Sequence, residues 1–237
     1  MEFHPDKCQL LRITNKTKPI LNDYFIHNIK LTFTNSAKYL GVTIDGSLKW
    51  TKHYNNICAK ANSTLAFLQR NISGCPTDVK AKCVNTFVRP ILEYGCCVWD
   101  PHHQKHIEQI EKIQRRAARF VTSNYTLIEG NTKRNMNSLN WVPLEERRAK
   151  SKLTTLFKTK LGAIDVPIED LIVSQSKTRR KNTNYFVPQS SVDSHLHSFF
   201  PSSIRLWNSI PDNVKACNTI AGFKSNLQKI TIKASYN

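Results

Sequence analysis

His106-Ile107-Glu108-Gln109-Ile110-Glu111-Lys112-Ile113-Gln114-Arg115-Arg116-Ala117-Ala118-Arg119-Phe120 is the stretch that decides the fold class. Ile107, Ile110, Ile113 or Gln114, Ala117 and Phe120 recur at three- and four-residue intervals. On a helix of 3.6 residues per turn that spacing lines them along one inward face. The helix is predicted to begin at Pro101, and Lys112, Arg115, Arg116 and Arg119 fall on its outward side. Cations near a helix C-terminus complement the macrodipole, so part of this cluster has a purely structural explanation.

The helical period extends upstream. Trp50, Tyr54, Ile57, Ala61, Leu65, Leu68 and Ile72 share one face, with Lys52, Asn56, Lys60 and Ser63 opposite. Gly74-Cys75-Pro76 stops that helix, and Thr77 with Asp78 opens the next. There Val79, Cys83, Phe87 and Ile91 repeat every four residues and predict a packed stripe. Pro90 lacks an amide proton, which predicts a kink or break near Arg89.

Before Trp50 the pattern reads as strands. They are predicted over Cys8 to Thr14, over Tyr24 to Ile26 and Ile29 to Phe33 around a His27-Asn28 turn, and over Ala37 to Ile44. The last would set Leu40, Val42 and Ile44 on one face, with Gly41 permitting close backbone approach. Asp45-Gly46-Ser47 ends it and can cap the element after it.

Downstream, residues 122–138 read as polar and irregular. A fourth helix starts at Trp141-Val142-Pro143, with Pro143 at its first position and Glu145-Glu146 at the positive end of the dipole. Leu153, Leu156 and Phe157 continue its apolar face, and Leu161-Gly162 ends it. Residues 174–194 are poor in apolar side chains, which predicts a mobile linker with a basic knot at Lys177-Thr178-Arg179-Arg180-Lys181. Phe199-Phe200-Pro201 leads into a short helix with Ile204 and Trp207, broken by Pro211. Thr219 caps a final helix carrying Ile220, Phe223, Leu227 and Ile230. The expected fold is α+β and mainly α: a small antiparallel sheet, a helical bundle, then a looser helical C-terminal region.

Lys plus Arg number 35 against 17 Asp plus Glu, a formal charge of +18. An excess of that size attracts polyanions, and phosphate backbones are the usual partner. The competing reading is a solubilising surface with no ligand. The cations are spread over several helices, and no apolar run is long enough to cross a bilayer, so no membrane partner is expected. The first residues lack the apolar segment of a signal peptide, and the 7 cysteines are irregularly spaced. Both point to reduced thiols in an intracellular compartment, nuclear or cytoplasmic, and not to secretion.

Two-metal nucleotidyl transfer needs clustered carboxylates. Asp6, Asp23 and Asp45 stand singly, no Asp-Asp pair occurs, and Asp45 reads as a turn or cap residue. Hydrolase and nucleotide-loop motifs are also absent. Cys96, Cys97, His102, His103 and His106 lie close in sequence, and His102 with His106 could share a helical face. Adjacent cysteines, however, diverge on any regular backbone, so the reading is a packed Cys pair with surface histidines and no metal. The basic clusters are the better functional candidates. Arg115, Arg116 and Arg119 form a ridge able to follow a phosphate backbone. Arg147, Arg148 and Lys150, with Lys152, form a second cluster; Lys177, Arg179 and Arg180 form a third. The alternative is solvated faces with intrahelical pairs such as Glu111 to Arg115.

A series of blocks adds a resemblance. Pro5-Asp6-Lys7-Cys8 leads into a strand; Ser36-Ala37-Lys38-Tyr39-Leu40-Gly41-Val42-Thr43-Ile44 is next; then come Ala59-Lys60-Ala61-Asn62 and Leu65-Ala66-Phe67-Leu68-Gln69-Arg70-Asn71. Val88-Arg89-Pro90-Ile91-Leu92-Glu93-Tyr94-Gly95, Trp99-Asp100-Pro101, Gln114-Arg115-Arg116-Ala117-Ala118-Arg119-Phe120, Leu139-Asn140-Trp141-Val142-Pro143-Leu144-Glu145-Glu146-Arg147-Arg148 and Trp207-Asn208-Ser209-Ile210-Pro211 complete the order. Together they resemble the C-terminal part of reverse transcriptases of non-LTR (LINE-type, jockey-like) retrotransposons.

The resemblance implies a palm remnant with a primer-grip-like hairpin over 1–46, a helical thumb-like domain over 47–124 and a C-terminal helical extension over 125–237. It implies that Lys38, Tyr39, Leu40 and Gly41 support a primer's 3′ end. Lys7 would be a candidate general acid, against the plainer reading of a surface lysine. The parent would copy RNA into DNA with Mg²⁺ and nucleoside triphosphates. This chain, severed from the family's catalytic carboxylates, would need no cofactor and would hold RNA–DNA or DNA duplexes by their backbones without polymerising. The alternative is a non-catalytic basic interaction or structural protein derived from such an element.

Overall fold

The computed structural model describes residues 4–126, 128–166 and 183–232. The chain packs as two units, 1–57 and 58–237, with the boundary inside the first long helix. Short strands followed by helices make it α+β and mainly α.

Unit 1 opens with a 3-10 turn at Pro5–Lys7. Its strands are β1 (Gln9–Leu11), β2 (Phe25–Ile26), β3 (Ile29–Lys30), β4 (Thr32–Thr34), β5 (Ser36–Tyr39) and β6 (Val42–Asp45). They pair as three two-stranded sheets, β1 with β4, β2 with β3 and β5 with β6. The turn between β2 and β3 falls at His27-Asn28 as expected, both residues left-handed at φ 50° and 63°. Two such residues give a turn whose twist matches that of the strands it joins.

Two expectations are corrected. Ala37 to Ile44 is not the one strand its alternation suggests but a hairpin, as the resemblance implied, with Tyr39 opposite Val42 and a turn at Leu40 (φ 45°) and Gly41 (φ 84°). Leu40 therefore stands at the tip and is exposed, off the face that carries Val42. Each arm alternates like a strand, so the reversal left no mark in the pattern. The β1–β4 pair is parallel, because the chain from 12 to 31, with the β2–β3 hairpin inside it, returns β4 in the same direction as β1.

Gly46 ties the ribbons. Its amide donates to the Asn35 carbonyl at 3.2 Å, and its carbonyl accepts from the Thr14 amide at 3.0 Å. A Cβ there would lie 2.6 Å from the Arg12 carbonyl oxygen, so only glycine permits this approach. The loop then enters α1 (Thr51–Asn71), the helix expected from Trp50. Buried His53 accepts the Thr43 amide at Nδ1, 3.2 Å away. Burial lowers its pKa to about 4, which suits a neutral ring whose nitrogen must keep a lone pair.

In unit 2, α2 (Thr77–Cys83) passes through a π-helical turn at Val84–Val88 into α3 (Arg89–Glu93). The irregular turn lies just before Pro90, where the missing amide proton was expected to disturb the helix. The packed stripe is one residue off the expected one. Lys80, Val84, Val88 and Leu92 are buried, whereas Val79 is 37% and Phe87 55% exposed. Both sets repeat at four. The buried set includes Lys80, whose ammonium reaches Ser123 Oγ at 3.0 Å and sits 5.5 Å from the centre of the Phe120 ring.

After Gly95 come α4 (Cys96–Trp99) and α5 (Gln104–Thr122). Ile107, Ile110, Ile113, Gln114, Ala117 and Phe120 are all buried, as the spacing predicts. The stretch read as irregular contains α6 (Asn131–Ser138). Asparagine is a weak helix former and supplied no apolar period. Here Asn124 donates to Asn131 Oδ1 at 2.9 Å and to Asn135 Oδ1 at 3.2 Å, so side-chain amides hold the helix in place.

Helix α7 (Leu144–Lys160) starts one residue after Pro143. It is followed by α8 (Asp193–Leu196), α9 (Phe199–Ser209), α10 (Asp212–Lys215) and α11 (Ile220–Gln228). Thr219 Oγ1 caps α11 by accepting the Gly222 amide at 3.2 Å. Phe157, Trp207 and Phe223 meet in one core, the two phenylalanine rings stacked 4.2 Å apart. The expected linker is corrected over its described part. Tyr185 and Asn208 exchange two hydrogen bonds of 3.0 and 2.8 Å, and Trp207 Nε1 donates to the Thr183 carbonyl at 2.9 Å. Polar side chains of α9 anchor that segment, which a count of apolar residues does not detect.

Candidate nucleic-acid interface

Helix α5 turns its apolar stripe inward and fixes its orientation with Gln114, whose Nε2 donates to the Val142 carbonyl at 2.8 Å. The opposite side presents Lys112 and Arg116 exposed, with Arg115 and Arg119 partly exposed. Arg116 Nη1 reaches Asn62 Oδ1 at 2.9 Å. The Arg119 side chain makes no hydrogen bond or ion pair among the described residues. The anticipated Glu111–Arg115 pair is replaced. Glu111 points inward and its Oε1 accepts the Glu145 amide at 2.9 Å, while Arg115 pairs with Glu108. Burial raises the Glu111 pKa, even though the Glu145 amide and the charges of Arg148 and Arg115 pull it down.

The α7 cluster is a different object. Arg148 is fully buried, and its Nε lies 2.7 Å from Asp100 Oδ1. Buried Lys152 meets Asp100 Oδ2 at 2.6 Å and Ser202 Oγ at 3.2 Å. Arg147 holds both Glu93 oxygens, and this bond is the main reason its pKa is raised. Lys150 lies 2.6 Å from Glu146. The expectation that Arg148 contacts phosphate is therefore corrected: its guanidinium lies inside the protein against a carboxylate. Arg147 and Lys150, together with Lys224, border a cleft of about 440 Å³. Lys177, Arg179 and Arg180 lie outside the described residues.

In unit 1, Lys7 is exposed at the end of the 3-10 turn. Lys38 and Tyr39 are exposed on β5, and Leu40 with Gly41 forms the hairpin tip; Tyr39 is 67% and Leu40 73% exposed. The sequence reading missed a second basic grouping here. Arg12, Lys16, Lys49 and Lys52 line a cleft of about 570 Å³. They come from two segments far apart in the chain, so no local spacing announces them.

The Cys–His region holds no such grouping of cations. Cys96 is buried, and Cys97 Sγ lies 3.4 Å from Thr155 Oγ1. His102 is not a plain surface histidine. Its ring stacks on His197 at 3.8 Å, and burial, then the neighbouring His197 and His103, lowers its pKa to about 4. Among the described residues, no three or more His, Cys, Asp or Glu are placed to hold a metal ion. Nor is any described helix long and apolar enough to cross a membrane.

Comparison with known proteins bears on the resemblance. Over 101 residues the chain is 30% identical to a Drosophila melanogaster protein described as a probable RNA-directed DNA polymerase from transposon X-element. The match takes in 41% of this chain and 11% of that protein, so the chain corresponds to a small part of its relative's length. The chain is thus similar to a transposon-encoded RNA-directed DNA polymerase, in line with the blocks read from the sequence. No protein-family profile matches it, and neither does any solved structure.

Proposed function

We propose that this chain is a nucleic-acid-holding part of an RNA-directed DNA polymerase of the non-LTR, jockey-like kind. In this reading residues 1–46 end the palm, 47–124 form a thumb-like domain and 125–237 a C-terminal extension. The observation that carries it is the α5 ridge. Arg119 has no anionic partner among the described residues, and Arg116 is exposed on the same outward side. Guanidinium groups one turn apart can bond successive phosphates, which positions a duplex without reading its sequence. Shape and phosphate contact are what a polymerase needs, because it must accept any template.

The chain would hold the duplex and leave the joining of nucleotides to carboxylates elsewhere in the polymerase. Asp45 supports this division of labour. Its Oδ1 accepts from the Ser47 amide, the Ser47 hydroxyl and the Lys49 amide at 2.9, 2.7 and 3.3 Å. Burial would raise its pKa, but these hydrogen bonds outweigh burial and lower it. The carboxylate is ionised and already engaged in its own turn. Mg²⁺ would belong to the parent enzyme's acidic centre.

The test is a filter-binding titration of a duplex against salt. A negative slope of log K on log salt of several units is expected, and a flat response overturns the reading. Charge reversal of Arg115, Arg116 and Arg119 should weaken duplex binding sharply while the melting temperature falls only slightly, because the bonds lost, to Glu108 and Asn62, are at the surface. Primer extension by the purified chain would overturn the claim that the chemistry lies elsewhere. The neutralised α7 cations favour a second reading, a non-catalytic basic interaction or structural protein. Unchanged binding in the ridge variant would select it.

A further inference from the structure

The cleft of unit 1 gathers four cations from two segments distant in the sequence. Arg12 and Lys16 follow β1 on one wall; Lys49 and Lys52 come from the loop after β6 and the first turn of α1 on the other. None of the four makes an ion pair among the described residues. The carboxylate lining the cleft is Asp45, already occupied by its hydrogen bonds to Ser47 and Lys49. Four cations thus face one engaged anion across about 570 Å³. Like charges brought together repel, and the arrangement is relieved by a multiply charged anion.

The walls are built to hold this shape. The bonds of Gly46 to Thr14 and Asn35 join the two segments, and no Cβ fits there. Arg12 lies over the Phe33 ring at 5.1 Å, which fixes the guanidinium plane without neutralising it. Lys52 Nζ is steadied by Ser36 Oγ at 3.0 Å. The first turn of α1 carries no acidic side chain, so its partial positive charge adds to that of the lysines.

We propose that this cleft is a phosphate-binding site, separate from the α5 ridge, that takes a run of adjacent phosphates from a nucleic-acid strand. The source of the phosphates rests on the nucleic-acid reading above; the anion site itself does not. A free polyphosphate offers the same chemistry, and the test separates the two.

The experiment titrates the full chain, by calorimetry, with a single-stranded 12-mer and with inorganic tripolyphosphate. Lys16→Glu/Lys49→Glu reverses two exposed charges that make no side-chain bond to the fold, and its melting temperature should match the parent's. It should weaken 12-mer binding by tenfold or more and reduce the salt slope by about 1.4, roughly 0.7 for each single-strand phosphate no longer bound. Lys16→Gln/Lys49→Gln should show the same change at smaller size. Weaker tripolyphosphate binding with an unchanged 12-mer would keep the anion site but overturn the strand as its source. No change with either probe overturns the proposal. The ridge variant distinguishes failures: if it loses duplex binding while the Lys16/Lys49 variants match the parent, the cleft falls and the ridge stands.

Discussion

Helices α5 and α7 carry clusters of the same residue types, and the structure puts them to opposite uses. On α5 the cations look outward, and Arg119 has no anion against it among the described residues. On α7 each of Arg147, Arg148, Lys150 and Lys152 meets a carboxylate: Glu93, Asp100, Glu146 and again Asp100. The two clusters differ not in the density of positive charge but in how deeply the fold pairs it with acids: Arg115 has the partly exposed Glu108, whereas Arg148 and Lys152 share the buried Asp100. That is decided by residues distant in sequence, since Asp100 and Arg148 are separated by 48 positions.

The sharpest way to break the comparison is to remove the shared acid. Asp100→Asn leaves two buried cations with a neutral partner. Uncompensated charge in the interior should cost about 3–5 kcal/mol, measured as a lower denaturation midpoint. If the variant unfolds at the parent's midpoint, the α7 cluster is as solvated as the α5 ridge, and the contrast fails.

The difference between these elements also marks how far the sequence could be read. The inward face of α5 follows from periodicity alone, because five of its apolar side chains and Gln114 recur on one side of a long helix. The cap of α11 at Thr219 was legible for a similar local reason. The destination of Arg148 was not. Arg147-Arg148 next to Glu145-Glu146 looks like a solvated charged face, and nothing local says that Asp100 will approach. Helix α6 hid for another reason, since its asparagines follow no apolar period and are held by amide contacts with Asn124. The unit 1 cleft was equally silent, because Arg12 and Lys49 become neighbours only when the ribbons close.

A half-buried pair should fall between the extremes. Glu93→Gln keeps the shape of the acceptor but removes the charge that holds Arg147, and solvent screens part of the loss. The expected cost is about 1 kcal/mol in the same unfolding assay. A loss as large as that of Asp100→Asn would mean that Arg147 is as deeply committed as Arg148.

Glu111 joins the two helices and gives a pH test. Its pKa in the folded chain is raised, chiefly by burial, so the folded state favours the protonated acid more than the unfolded state does. The stability it adds is therefore fully present below the ordinary glutamate range and lost as pH rises through the folded pKa. Glu111→Gln should remove this dependence while its side-chain carbonyl still accepts the Glu145 amide. At neutral pH the melting temperature should rise by less than it falls in Glu93→Gln. A fall instead would mean that the ionised carboxylate is needed by Arg148 and Arg115.

The smallest effect on stability belongs to the ridge, and that smallness carries the functional argument. Arg119→Glu removes no described side-chain bond and loses only the charge that suits the C-terminal end of α5, so unfolding should shift by about 0.5 kcal/mol. The same change should weaken duplex binding and flatten the salt slope by about 0.9, the value of one phosphate contact on a duplex. A structural cation behaves the other way: Asp100→Asn is expensive to the fold, while any change in binding tracks the unfolded fraction and leaves the slope alone. Measuring both quantities on both variants therefore sorts the two helices without reference to any relative. If Arg119→Glu leaves the slope unchanged in a folded protein, the outward face of α5 is only a solvated surface.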